Sequence, residues 1–211
     1  PTFQTSYTYP LQKQNDKFNY TLTPKLSLNL SVPHTKDKRK ENVNINYQNI
    51  FDINRLGSDD INEGGISATY GYEYTKIDKS NFDEIIKFGF ANNLRFDENK
   101  DLPANTNLGD KVSDFVGLFE YNPNENIKLD YNFSLKNNLA DQNYELFGFE
   151  YYLKNLTTKF EYLNENNSAS KTSYLQNQTR YAFNDKNSLI FETRENKEKN
   201  FTEYYNLIYQ F

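Results

Sequence analysis

Between Ile127 and Leu135 the chain reads Ile-Lys-Leu-Asp-Tyr-Asn-Phe-Ser-Leu, apolar and polar residues in strict alternation. Period two marks a strand with one apolar face and one polar face. The longest instance runs from Phe18 to Val32. Phe18, Tyr20, Leu22, Leu26, Leu28, Leu30 and Val32 share one face, while Asn19, Thr21, Thr23, Lys25, Ser27 and Asn29 share the other. Pro24 has no N–H to give to a ladder and predicts a bulge or an unpaired position there. The beat recurs from one end of the chain to the other with no helical period between its instances. That restricts the fold to the all-β class.

Alternation bounded by turn residues predicts about eleven antiparallel strands. They lie at residues 2–9, 18–32, 66–77, 84–96, 113–122, 127–137, 143–154, 156–163, 172–183, 188–195 and 201–211. Several exceed the ~5–6 residues usual in globular sheets and match what a tilted strand needs to cross a bilayer. The connections are of two kinds. Short turns such as Lys154-Asn155 and Asn184-Asp185-Lys186-Asn187 contrast with long loops at 33–64 and 97–112. Outer-membrane barrels carry short periplasmic turns and long extracellular loops. A soluble sandwich with a dry core fits the alternation as well. Strand length and aromatic content favour the membrane barrel.

Composition narrows the function classes. The 211 residues are 36% hydrophobic with a mean hydropathy of -0.93, and no stretch approaches the ~20 apolar residues of a spanning helix. Eighteen Tyr and 17 Phe without a Trp suit strands with interfacial aromatic girdles. A net charge of -5 argues against nucleic acid as a partner, because phosphate binding needs a basic surface. The short run Lys36 to Lys40 reads as a solvated loop. The only histidine, His34, has no serine-centred motif beside it, so no catalytic residue is assigned and the chain is read as a non-enzyme. One His and no Cys leave no transition-metal site, and no cofactor is expected. Asp59, Asp60 and Glu63 do not have the spacing of a calcium loop, and read as solvated acids in a glycine-punctuated connection.

The segment from Asn49 to Asp60 contains Phe51, Asn54-Arg55, Gly57 and Asp59; it leads to Glu63-Gly64-Gly65 and then Tyr70-Gly71-Tyr72. This resembles the LptD family of outer-membrane lipopolysaccharide-assembly barrels, whose members carry a phenylalanine, an Asn-Arg pair, a Gly and an Asp before Glu-Gly-Gly and a Tyr-Gly strand. Three further stretches resemble the family in the same order. They are Tyr7-Thr8-Tyr9-Pro10; Leu94-Arg95-Phe96 with Leu102-Pro103; and Ser113-Asp114-Phe115-Val116-Gly117 with the Pro123-Asn124 turn. The chain departs from the family in having Asp60 and Ile61 where an Asp-Arg pair is usual, and in lacking the cysteines that pair with an N-terminal domain.

The resemblance implies that residues 1–211 are a partial outer-membrane barrel, a fragment of the C-terminal half of a larger one. It implies insertion of lipopolysaccharide into the outer leaflet of a Gram-negative cell, an integral outer-membrane location, and contact with outer-membrane lipids. The implied partners are lipopolysaccharide itself, an LptE-like plug lipoprotein, and an LptA-like periplasmic bridge reached through an N-terminal domain. Site residues follow from the motif alone: Asn54, Arg55, Gly57, Asp59, Glu63, Gly64 and Gly65. The alternation predicts Lys25, Lys128, Asp130, Asn132 and Lys136 on the lumen side, and Leu26, Leu28, Leu129 and Phe133 on the lipid side. A porin-like or receptor-like diffusion barrel is the alternative.

Overall fold

The computed structural model describes residues 2–32, 35–57, 63–168 and 170–211. His34, Asp59 and Asp60 lie outside the described residues. The described residues form one antiparallel sheet and no helix. Its strands are β1 (Thr2–Thr8), β2 (Leu11–Gln14), β3 (Phe18–Ser31), β4 (Gly65–Asp78), β5 (Glu84–Arg95) and β6 (Phe115–Asn124). They continue as β7 (Ile127–Leu135), β8 (Gln142–Leu153), β9 (Leu156–Asn166), β10 (Lys171–Ala182), β11 (Ser188–Asn196) and β12 (Phe201–Gln210). From β3 onward each strand pairs with the next in sequence, and both β1 and β2 pair with β3.

The all-β antiparallel class is as expected, with 12 strands rather than eleven. The extra one is β2, which continues the line of β1 along β3 after a break at Tyr9 and Pro10. Thr8 faces Lys25 and Leu11 faces Leu22, so the register does not change across the break. The interruption expected at Pro24 falls on this side, opposite Tyr9: the Pro24 carbonyl accepts from Tyr9 N–H at 3.2 Å, and Pro24 has no N–H to return. No bulge forms on the other side, where Pro24 pairs with Tyr72 in unbroken register. Pro123, read as part of a turn, instead sits inside β6 at a register shift between Tyr121 and Asn124. A bulge is one of the few places where a sheet tolerates proline.

Register gives the sheet two unlike faces. Leu22, Tyr74, Phe88, Phe119, Tyr131, Phe147 and Tyr162 stand abreast on consecutive strands. Tyr74 and Phe88 stack with ring centroids 4.9 Å apart. One residue along each strand, the neighbouring row reads Thr75, Lys87, Glu120, Asp130, Gly148, Glu161 and Gln176. Side chains alternate with period two, so a slip of one residue would exchange the rows.

Because the strands alternate in direction, the connections sort by end. The long connections β3–β4 and β5–β6 share one end with the turns at 136–141, 167–170 and 197–200. The short turns at 15–17, 79–83, 125–126, 154–155 and 183–187 share the other. The two long loops fold back over the polar face. Ile45, Tyr47, Ile50, Leu56, Leu102 and Leu108 from the loops cluster with Ala91, Val116 and Leu118 from the sheet. The apolar face stays bare: Leu26 is 40% and Phe147 40% exposed. β1 and β12 are not paired with each other, so the sheet is open.

Candidate functional site

The β3–β4 loop, expected to be a solvated polar connection, buries Ile45, Tyr47, Ile50, Arg55 and Leu56. Asn46 starts a tight turn: its side-chain oxygen accepts from the N–H groups of Gln48 and Asn49, and its carbonyl accepts from Ile50 N–H at 3.0 Å. The turn sends Tyr47, Ile50 and Phe51 toward the sheet. Two glycines make the space for the rings. A Cβ on Gly89 would lie 2.4 Å from the Tyr47 ring, and one on Gly71 would lie 3.0 Å from the Phe51 ring. The Tyr47 hydroxyl donates to the Tyr72 carbonyl at 3.2 Å. Burial first, then the nearby Glu73 carboxylate, raises the Tyr47 pKa well above that of an ordinary phenol.

Arg55 follows, its side chain 0% exposed. Nε donates to Glu63 Oε1 at 2.7 Å and Nη2 to Oε2 at 2.5 Å, the bidentate fork that guanidinium and carboxylate favour. Nη1 donates to Asn93 Oδ1 at 2.8 Å and Thr69 Oγ1 at 3.1 Å, and Nη2 also reaches Ser67 Oγ at 3.3 Å. A buried guanidinium is tolerated only with its donors paired in this way. Glu63 meets a second cation, Arg95 Nη1, at 3.5 Å. Arg95 Nη2 also donates to the carbonyls of Glu63 and Gly64. The Glu-Gly-Gly sequence now has a reason. Gly64 and Gly65 take left-handed φ angles of 57° and 83°, which turns the chain into β4. A Cβ on Gly65 would crowd Arg95 Nη2 at 3.2 Å.

The second loop locks over the first. Asn99 Nδ2 donates to Glu63 O at 2.6 Å, and Asn105 Nδ2 donates to Val43 O at 2.9 Å. Asp114, just before β6, clasps the second loop to the sheet. Its carboxylate accepts from Asn107 Nδ2 at 2.6 Å, from Ser134 Oγ at 3.0 Å and from Asn143 Nδ2. Asn143 Nδ2 in turn donates to Asn105 O at 2.8 Å. Burial pushes the Asp114 carboxyl up to about 6, against the pull of those three donors and the Lys136 charge.

Of the residues taken from the motif, Arg55, Glu63 and Gly64 meet in one cluster, with Gly65 beside Arg95. Asn54 is half-buried next to Arg55; Gly57, with φ 68°, is an exposed turn residue; Asp59 lies outside the described residues. Glu63 corrects the reading of its acids as solvated: its side chain is 11% exposed, because Arg55 and Arg95 neutralise it under the loop. Arg95, Asn93, Thr69 and Asp114 were not singled out as site residues. For Thr69, Asn93 and Arg95 the signal was available, as polar residues on a strand face shared with the small residues Gly71, Gly89 and Ala91.

The two-sided expectations hold as statements about faces. Lys25 pairs with Glu73 at 2.9 Å, Asn132 accepts from Gln48, and Asp130 packs on Gly148, all on the loop-covered side. Lys128 lies over the Tyr152 ring, and Lys136 lies one residue past β7 with its charge acting on Asp114. Leu26, Leu28, Leu129 and Phe133 share the bare face. Among the described residues no group of His, Cys, Asp and Glu is arranged to hold a metal ion.

No curated protein matches the chain. A family model described as LPS transport system D, LptD, matches residues 1–189. That match spans the whole ion cluster, both covering loops and all of the two-faced sheet up to the start of β11. The chain belongs to the LptD family, the family of lipopolysaccharide transport and assembly.

Proposed function

We propose that this protein is part of an integral outer-membrane barrel that inserts lipopolysaccharide into the outer leaflet, and that it does so without catalysing a chemical step. Family membership supports the substrate. The membrane placement is carried by one observation: the row from Leu22 through Phe88 to Tyr162 lies on a face that nothing covers. An apolar surface of that extent is not stable against water and suits acyl chains.

On this reading the loop-covered face is the lumen wall, and the two long loops enter it from the extracellular end. The motif residues Arg55, Glu63, Gly64 and Gly65 act by seating the loop, with no role in contacting lipid directly. The free edges of β1 and β12 pair with further strands of the full-length chain, since bare edges are not left open in a membrane. An LptE-like plug and an LptA-like bridge, delivering through an N-terminal domain, are the partners that family membership supports.

Depletion of the full-length protein in Gram-negative cells tests the function. Newly made lipopolysaccharide is expected to stop reaching the cell surface. Undiminished arrival, together with slower uptake of small solutes, would replace this reading with a diffusion channel. Single cysteines test the placement: Leu129→Cys is expected to react with a bilayer-soluble probe and Lys128→Cys with a water-soluble one. Equal labelling of both would remove the membrane reading.

A further inference from the structure

At the short-turn end of the bare face, the outer side of β2, β3 and β4 forms an open groove of about 460 Å³ with two chemically distinct levels. Leu11, Leu22 and Tyr74 stand abreast at the level nearer the middle of the strands. Lys13, Tyr20 and Lys76 stand abreast one step closer to the turns. The Lys76 ammonium lies 4.0 Å from the centroid of the Phe18 ring. Beyond this level the two adjoining turns are tied together, Lys79 N–H donating to Lys17 O at 2.9 Å, and each adds a lysine. The carboxylates nearby are Asp78, which accepts from the Ser80 N–H and hydroxyl, and the turn residues Asp16 and Asp83.

Phe82 projects from the same corner. It is 79% exposed and holds a φ of 61°, a conformation that costs any residue with a Cβ. A strained aromatic side chain offered to water is unfavourable twice over, and is relieved where an interface receives the ring. The other end of this face mixes its charges, with Glu145, Glu195 and Lys171 on it and Glu195 paired with Lys197 at 2.7 Å.

We propose that this corner binds an anionic glycerophospholipid from the leaflet at the short-turn end. Acyl chains lie along Leu11, Leu22 and Tyr74. The phosphate meets Lys13 and Lys76, with Tyr20 between them, and Phe82 inserts at headgroup level. The polarity of the groove matches an amphiphile in that leaflet and in no other orientation, because the lysines lie nearer the turns than the leucines. The proposal rests on the membrane reading above and adds to it a lipid class and a place.

Native mass spectrometry of the detergent-solubilised full-length protein tests it, with dioleoyl-phosphatidylglycerol and dioleoyl-phosphatidylcholine added as competing probes. The wild type is expected to retain phosphatidylglycerol preferentially. The double variant Lys13→Gln/Lys76→Gln should lose that preference by roughly tenfold, given what basic residues near a membrane surface contribute. Lys111→Gln, an exposed lysine in the β5–β6 loop at the other end, is expected to behave as wild type. Equal retention of the two lipids, a preference unchanged in the double variant, or loss of the preference on adding inorganic phosphate each overturns the site and leaves the barrel intact. Retention of neither lipid would strike at the membrane reading itself.

Discussion

Arg55 contributes structure out of proportion to its size, because one guanidinium joins the loop residue Glu63 to Ser67 and Thr69 on β4 and to Asn93 on β5. Removing one member of a buried pair strands the other charge, at a cost of about 3–5 kcal/mol. Arg95 remains beside Glu63 and offsets part of that loss. Arg55→Ala is therefore expected to free the loop while the sheet persists. Limited proteolysis should show new cleavage within 35–57 and none in β3–β5. Arg55→Lys keeps the charge but loses the fork, and should fall between wild type and alanine in the same assay. Gly89→Ala makes a complementary probe, since its methyl group would occupy the space of the Tyr47 ring. It should expose the same loop, and combination with Tyr47→Ala should add little further cleavage, the non-additivity expected of residues in contact.

Asp114 makes a prediction in pH. Its folded-state pKa, about 6, lies above the ordinary carboxylate value of 3.8 because burial disfavours the charged form. The folded state thus holds this proton more tightly than the unfolded chain does. The contribution is fully present below the unfolded value and is lost as pH rises through the folded one. Urea titrations of the protein in micelles across that window should show stability falling with rising pH, and Asp114→Asn should remove this component of the slope. A slope unchanged in the variant would mean that another group titrates there.

At the scale of elements, strands and loops differ in what decides them. A strand's identity is written locally, one face apolar and the next polar, so all eleven alternating segments became strands. The exceptions trace to proline. Tyr9-Pro10 divides one edge line into β1 and β2, and Pro123 is carried within β6 by a bulge. The loops were not legible in this way. Arg55 finds Asn93 across 38 residues and Asn99 finds Glu63 across 36, and neither separation leaves a periodic trace. The family motif marked Arg55, Glu63 and the two glycines as a group without saying what they do, and the left-handed φ of Gly64 and Gly65 supplies the reason. β7 offers a direct check on the faces. Leu129→Arg should cost about 2–4 kcal/mol in insertion equilibria if the bare face meets the bilayer midplane. Asn132→Arg, on the other face, should cost far less.

At the scale of the whole molecule, the sheet is a meander in which each strand from β3 onward contacts its successor, while the long loops lie on one of its faces. Neighbour-to-neighbour pairing favours fast local steps, because little chain must be looped before a contact forms. The loops impose a timetable on those steps. Ile50 and Leu108, both fully buried, reach their places against Ala91 and Val116 only while that face is still accessible. On the barrel reading proposed above, tucking must therefore precede the curling of the wall around it. Pulse-labelled hydrogen exchange during refolding should show protection at β3–β6 together with residues 45–56 before it appears at β11 and β12. A chain whose wall curls first would be a lasting dead end, with Arg55 and Glu63 stranded apart and the way back obstructed by its own staves.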